Sequence, residues 1–136
     1  MFKTLLPLLI AISTLSSCTG SRSALTTETL EGKEWVLSAV RQSKVSAAKS
    51  YIVFGKERGQ VNGNGGCNGF GGIYSTTGNN ISIKEIMHTE MACDQLDTEN
   101  AFFRALESAT RYKINNGQLD LYQGRELLIT LKARRQ

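Results

Sequence analysis

Tyr112-Lys113-Ile114-Asn115-Asn116-Gly117-Gln118-Leu119-Asp120-Leu121-Tyr122 decides the fold class. Apolar and polar residues alternate on both sides of Asn115-Asn116-Gly117, a turn that tolerates positive φ. The stretch therefore predicts a hairpin of Tyr112–Ile114 against Leu119–Tyr122. A second turn at Gln123-Gly124 passes the chain on to Leu127–Leu131. The same period of two recurs upstream. Glu34–Val40 reads as a strand with Trp35, Leu37 and Ala39 on one face, and Tyr51–Phe54 as a short apolar one. A charged turn from Gly55 to Gly59 leads to a strand around Gln60–Asn62, and Phe70–Ser75 follows. Gly78-Asn79-Asn80 turns the chain into Ile81–Ile83, and Ile86–Thr89 continues the pairing after a bend at Lys84-Glu85. The single proline, Pro7, precedes all of these segments, so none loses a ladder N–H to proline.

One segment departs from this rhythm. Ala101, Phe102, Ala105, Leu106 and Ala109 gather on one face of a helix, predicted over Thr98 to about Ser108. Asp97 suits its N-cap, Glu99 its first turn, and Arg111 follows its C-terminal end. About eight short strands and one helix give an α+β class and a single domain. Its antiparallel sheet is expected to curl, with the helix covering an open edge or plugging one end.

The N-terminal residues carry an address. Lys3 precedes the apolar run Leu5–Leu15, roughly half the 20 residues a helix needs to span a bilayer. Leu15-Ser16-Ser17-Cys18 closes that run as a bacterial lipobox. Residues 1–17 thus read as a lipoprotein signal peptide, with Cys18 as the acylated residue; the competing reading is an ordinary secretory leader. Two or three acyl chains hold a protein on a membrane where one chain binds only marginally. Residues 18–29 are rich in Ser and Thr, lack apolar periodicity and read as a flexible tether. Residues 30–132 form the domain. By similarity to Gram-negative sorting rules, Thr19 after the cysteine favours the outer membrane, facing the periplasm.

The formal charge of +4 at pH 7 is modest, and the basic residues are scattered apart from Lys132, Arg134 and Arg135. Those three read as a solvated end, and export argues against nucleic acid. Cys67 and Cys93 remain as an even pair in an oxidising compartment. A bridge between them would add roughly 3 kcal/mol by the chain-entropy estimate. The competing reading is a reduced pair with His88, as a metal site or as a thiol nucleophile with its base; the paired C-x-x-C spacing of zinc sites is missing. Gly63 to Gly72 invites a phosphate loop but has no Lys-Ser/Thr and no apolar helix after it. Its glycines are expected to serve turns, a bulge or close backbone approach.

Gly65-Gly66-Cys67-Asn68-Gly69-Phe70-x-Gly72-x-Tyr74, followed by Thr89-x-Met91-Ala92-Cys93, resembles the paired signature of the META domain, the family of the bacterial heat-shock protein HslJ. The flanks are similar too: Leu30-x-Gly32-x-x-Trp35-x-Leu37 before, and Phe102-x-x-Ala105-Leu106 with Tyr112-x-Ile114-x-x-Gly117-x-Leu119-x-Leu121 after. The resemblance implies a curved antiparallel sheet wrapping one helix. It makes a Cys67–Cys93 bridge the natural pairing and gives Gly66, Asn68, Thr89 and Met91 structural roles. It implies no catalytic residue, metal or cofactor. The resulting expectation is a non-enzymatic cell-envelope lipoprotein, held at the membrane by its lipid. Through an unidentified envelope protein partner it would serve envelope integrity or the stress response. A similarity to pilot lipoproteins of secretion systems, at the level of the fold, offers the alternative of a binder for an acyl chain or apolar peptide. A thiol-dependent enzyme is the third reading. Oligomeric state is left open.

Overall fold

Alternating apolar residues produce strands wherever the sequence shows period two. The computed structural model describes residues 28–45, 49–57 and 59–135. The leader, Cys18 and the tether up to Thr27 lie outside them. The elements are β1 (Glu34–Val40), β2 (Ser43–Lys44), β3 (Tyr51–Phe54), β4 (Gln60–Asn64), β5 (Gly69–Thr77), β6 (Asn80–His88), α1 (Leu96–Ser108), β7 (Arg111–Asn115), β8 (Gln118–Gln123) and β9 (Glu126–Ala133). All pairings are antiparallel, in the order β2-β1-β3-β4-β5-β6-β7-β8-β9, and β1 also pairs with β9, so the sheet closes on itself. The class is α+β, with one helix and a nine-stranded curved sheet. The two-residue β2 is too short to show a period, which is why the sequence pattern passes over it.

The ring is splayed at one seam. β6 and β7 share a single register pair, Asn80 with Arg111, and α1 is the connection between these two strands. The helix packs against β6, β1 and β9. It brings Phe102, Phe103, Ala105 and Leu106 onto Trp35, Ile52, Phe54, Leu119, Leu121, Leu128, Ile129 and Leu131, all buried in one continuous core. Among the described residues no helix is long and apolar enough to cross a membrane.

Bulges change which residues face this core. In β1 the register against β9 shifts between Leu37 and Ala39, leaving Ser38 without an opposite residue. The phase flips there, so Val40 rather than Ala39 is buried, against the expectation that Trp35, Leu37 and Ala39 share a face. β9 likewise inserts Leu128 opposite β8, and Leu128 and Ile129 are both buried. The expected bend at Lys84-Glu85 is a bulge within one continuous β6, with Glu85 at φ 55°. The helix starts earlier than expected. Its N-cap is Gln95, which makes no side-chain capping bond, so Asp97 lies inside the first turn beside Glu99. Arg111 opens β7, and the last helical turn carries no basic residue.

Candidate functional site

The paired motif lies at one end of the barrel. β4 ends at Asn64 and β5 begins at Gly69, so Gly65 to Asn68 form the connecting loop. The loop is closed by Gly65 N–H donating to Asn68 O at 2.8 Å and by Gly66 N–H donating to Asn64 Oδ1 at 2.7 Å. Gly66 sits at φ 123°, a conformation that excludes a side chain. At Gly65 the reason is space: a Cβ there would come within 2.6 Å of Glu99 Cγ and Oε2.

Glu99, in the first turn of α1, is the hub. It is 1% exposed. Its Oε2 accepts the consecutive backbone N–H groups of Cys67 at 3.0 Å and Asn68 at 2.7 Å, and its Oε1 accepts Asn68 Nδ2 at 2.5 Å. Asn68, 2% exposed, turns its other face to the second motif half. Asn68 Oδ1 accepts Met91 N–H at 2.7 Å and Thr89 Oγ1 at 2.8 Å, and Nδ2 also donates to Met91 O at 3.3 Å. Cys67 and Cys93 are joined by a disulfide with Cα atoms 6.1 Å apart. Buried Ser50 donates to Gly65 O at 2.9 Å from below.

A buried carboxylate resists ionisation unless donors replace its water. Burial pushes Glu99 up, but the backbone N–H and side-chain amide of Asn68, the Cys67 N–H and the nearby His88 charge outweigh it and hold the carboxyl below its ordinary value. His88 stacks on Phe103 with ring centroids 4.8 Å apart, and its Nδ1 lies 2.8 Å from Thr89 O. Phe103 in turn meets Phe70 edge-on at 5.1 Å. Phe103 is buried because the loop, the His88 ring and Phe70 all close on it.

Each residue singled out in the sequence now has a place. Gly66, Cys67 and Asn68 line the loop, and Thr89, Met91 and Cys93 occupy the connection from β6 to α1. The bridge therefore joins two loops, not two strands. His88 and Cys93 do not share a strand either, because β6 ends at His88. Cys18 lies outside the described residues. Glu99 is the member that sequence reasoning missed as a site residue. Its signal was present: it falls three, four and seven positions before Phe102, Phe103 and Leu106, on the apolar face, where an acid needs a partner.

Beside this hub two methionines are exposed. Met87 is 77% exposed and Met91 59% exposed. Met87 borders an open groove of about 440 Å³ over β4, β5 and β6, with Gly69 and Gly71 in its floor. A Cβ at either glycine would meet nothing closer than 3.7 Å. Their small size thus leaves room outside the barrel rather than inside it. At the other end of β4, Tyr74 places its hydroxyl 2.9 Å from Glu31 Oε1 and 2.8 Å from Gly55 O. Burial, with the Glu31 carboxylate adding to it, pushes this phenol up to about 12.

The META domain sequence profile matches residues 28–135. No curated protein sequence matches the chain significantly. Several solved structures share the fold. A protein from Burkholderia xenovorans, solved by NMR, is 21% identical with a TM-score of 0.63, covering 79% of this chain and 85% of that one. A second NMR structure is 23% identical with a TM-score of 0.61, covering 76% and 90%. A crystal structure of a DUF4847 family protein from Bacteroides vulgatus ATCC 8482 is 17% identical with a TM-score of 0.58, covering 79% and 96%.

Proposed function

The chain belongs to the META domain family, and from that premise we propose that it is a non-enzymatic envelope lipoprotein, anchored through Cys18, whose motif end engages a protein partner in envelope integrity or stress response. One observation carries this reading. The polar groups of the motif bond one another: Glu99 is taken up by Cys67 and Asn68, Asn68 by Thr89 and Met91, and the two sulfurs by each other. Met87, near the end of β6, and Met91, in the braced β6–α1 connection, are exposed apolar side chains beside this network. Exposed methionine is an adaptable contact for a protein surface.

An acyl chain or apolar peptide, the alternative occupant, would also have to lie outside, over Met87, because the interior is filled by Trp35, Phe54, Phe102 and their neighbours. Photo-crosslinking in intact envelopes tests the reading. A crosslinker at Met87 or Met91 should trap a discrete protein adduct, and one at exposed Ser75 should not. Adducts to lipid alone would favour the alternative. A turnover lost in a folded Cys93→Ser protein would sink the non-enzymatic reading. Palmitate incorporation abolished by Cys18→Ala is the expected result for the anchor.

A further inference from the structure

The C-terminal cations are not a loose tail. Lys132 lies within β9 opposite Gln118, and Arg134 donates its backbone N–H to Glu34 O at 2.9 Å while its guanidinium pairs with the Glu34 carboxylate at 2.6 Å. This is also the end where the described chain begins. The Glu28 carboxylate accepts Gly117 N–H at 3.0 and 2.9 Å, and Ala133 N–H donates to the carbonyl of the same glycine at 2.8 Å. Lys56 lays its stem across Gly32, and the Lys33 ammonium stands 5.2 Å from the centroid of the Trp35 ring.

Lys33, Lys56, Lys132, Arg134 and Arg135 thus share one end with Glu28, Glu31, Glu34 and Glu57. Three of the four carboxylates are engaged: Glu28 by the Gly117 N–H, Glu31 by the Tyr74 hydroxyl and Glu34 by the Arg134 guanidinium. Glu57 has no hydrogen-bond partner among the described residues. Lys56, Lys132 and Arg135 are exposed and without a carboxylate partner among the described residues.

We propose that this end of the barrel docks on anionic lipid headgroups through Lys33, Lys56, Lys132 and Arg135. The inference rests on the lipobox reading and adds an orientation to it. The segment from Cys18 to Glu28 can reach at most about 35 Å. Screening at physiological salt sets in over about 8 Å, so a segment this short returns the cations repeatedly to the headgroup field. β4 runs from the Lys56 turn to the motif loop, so docking holds the motif end roughly 15 Å farther from the bilayer. Met87 and Met91 are then presented away from the membrane.

The test uses the mature chain, residues 18–136, carrying Cys18→Ser so that no acyl chain contributes. It should float with vesicles of phosphatidylglycerol and phosphatidylcholine, fail to float with phosphatidylcholine alone, and dissociate as salt rises toward about 1 M. Removing charge should weaken binding roughly fivefold per residue, so that Lys33→Gln, Lys56→Gln, Lys132→Gln and Arg135→Gln together abolish flotation. Lys44→Gln with Lys49→Gln, near the opposite end, should leave it unchanged. Equal binding to neutral vesicles would overturn the proposal. So would full binding by the fourfold variant at an unchanged melting temperature, or an equal loss in the control pair. Palmitate labelling of Cys18 is read separately, so a failed anchor and a failed surface give different results.

Discussion

The two ends of this barrel are each tied by carboxylates, and they are tied differently. At the motif end Glu99 is buried and grips two backbone N–H groups and an amide, beside a disulfide. At the opposite end Glu34 pairs with Arg134 in solvent, and Glu31 meets the Tyr74 phenol. A carboxylate in solvent exchanges water for a partner at little net gain, whereas a buried one leaves its donors stranded when it is removed. The comparison teaches that one acid at the motif end fixes two loops and a helix, while the acids at the opposite end mainly orient a surface.

The largest effect should come from the hub. Glu99→Ala leaves the Cys67 and Asn68 N–H groups and the Asn68 amide without acceptors, and should cost about 3 kcal/mol in urea unfolding. Glu99→Gln should cost nearly as much, because one face of the new amide points a donor at donors. Cys93→Ser comes next, with a loss of about 3 kcal/mol or somewhat less, since a bridge constrains the unfolded chain. Combined with Glu99→Ala the loss should fall short of the sum, as both clamp the same loop. An additive double mutant would show that bridge and hub act independently.

At the opposite end the effects should be smaller and appear on the alkaline side. The Tyr74 phenol titrates at about 12 in the fold against 10.0 ordinarily. A raised value favours the protonated form, so its stabilisation is complete below the unfolded value and fades as pH rises toward the folded one. About 2 kcal/mol is at stake. Tyr74→Phe should cost about 1 kcal/mol at neutral pH and flatten the alkaline decline. Smallest of all, Arg134→Gln should change stability by less than about 1 kcal/mol, as expected for an exposed pair. A larger loss would mean that the two ends are not so unlike.

Much of the fold was legible in the sequence, this contrast was not, and the misses share a cause. Strands such as Leu119–Tyr122, within β8, are read correctly because a local alternation decides them. The residues that a bulge re-aims, Ala39 and Val40, are misread because the bulge depends on their partners in β9, Thr130 and Ile129, and not on sequence neighbours. Asp97 reads as an N-cap because helix starts are local signals, yet the helix begins two residues earlier, with Glu99 in its first turn reaching the β4–β5 loop. The motif residues were identified by resemblance. Their common partner was not, because the single acid on an apolar face was credited to the helix dipole alone.

The pH dependence of unfolding, compared between the native chain and Glu99→Gln, tests the central claim most directly. Glu99 titrates lower in the fold than its ordinary value of 4.5, so its contribution is full above that value and is lost as pH falls through the lowered one. The native chain should therefore be the more stable at neutral pH, with the two curves converging in acid. Equal stability at neutral pH, or curves that stay parallel down through the acid range, would contradict the claim that Glu99 holds the motif together.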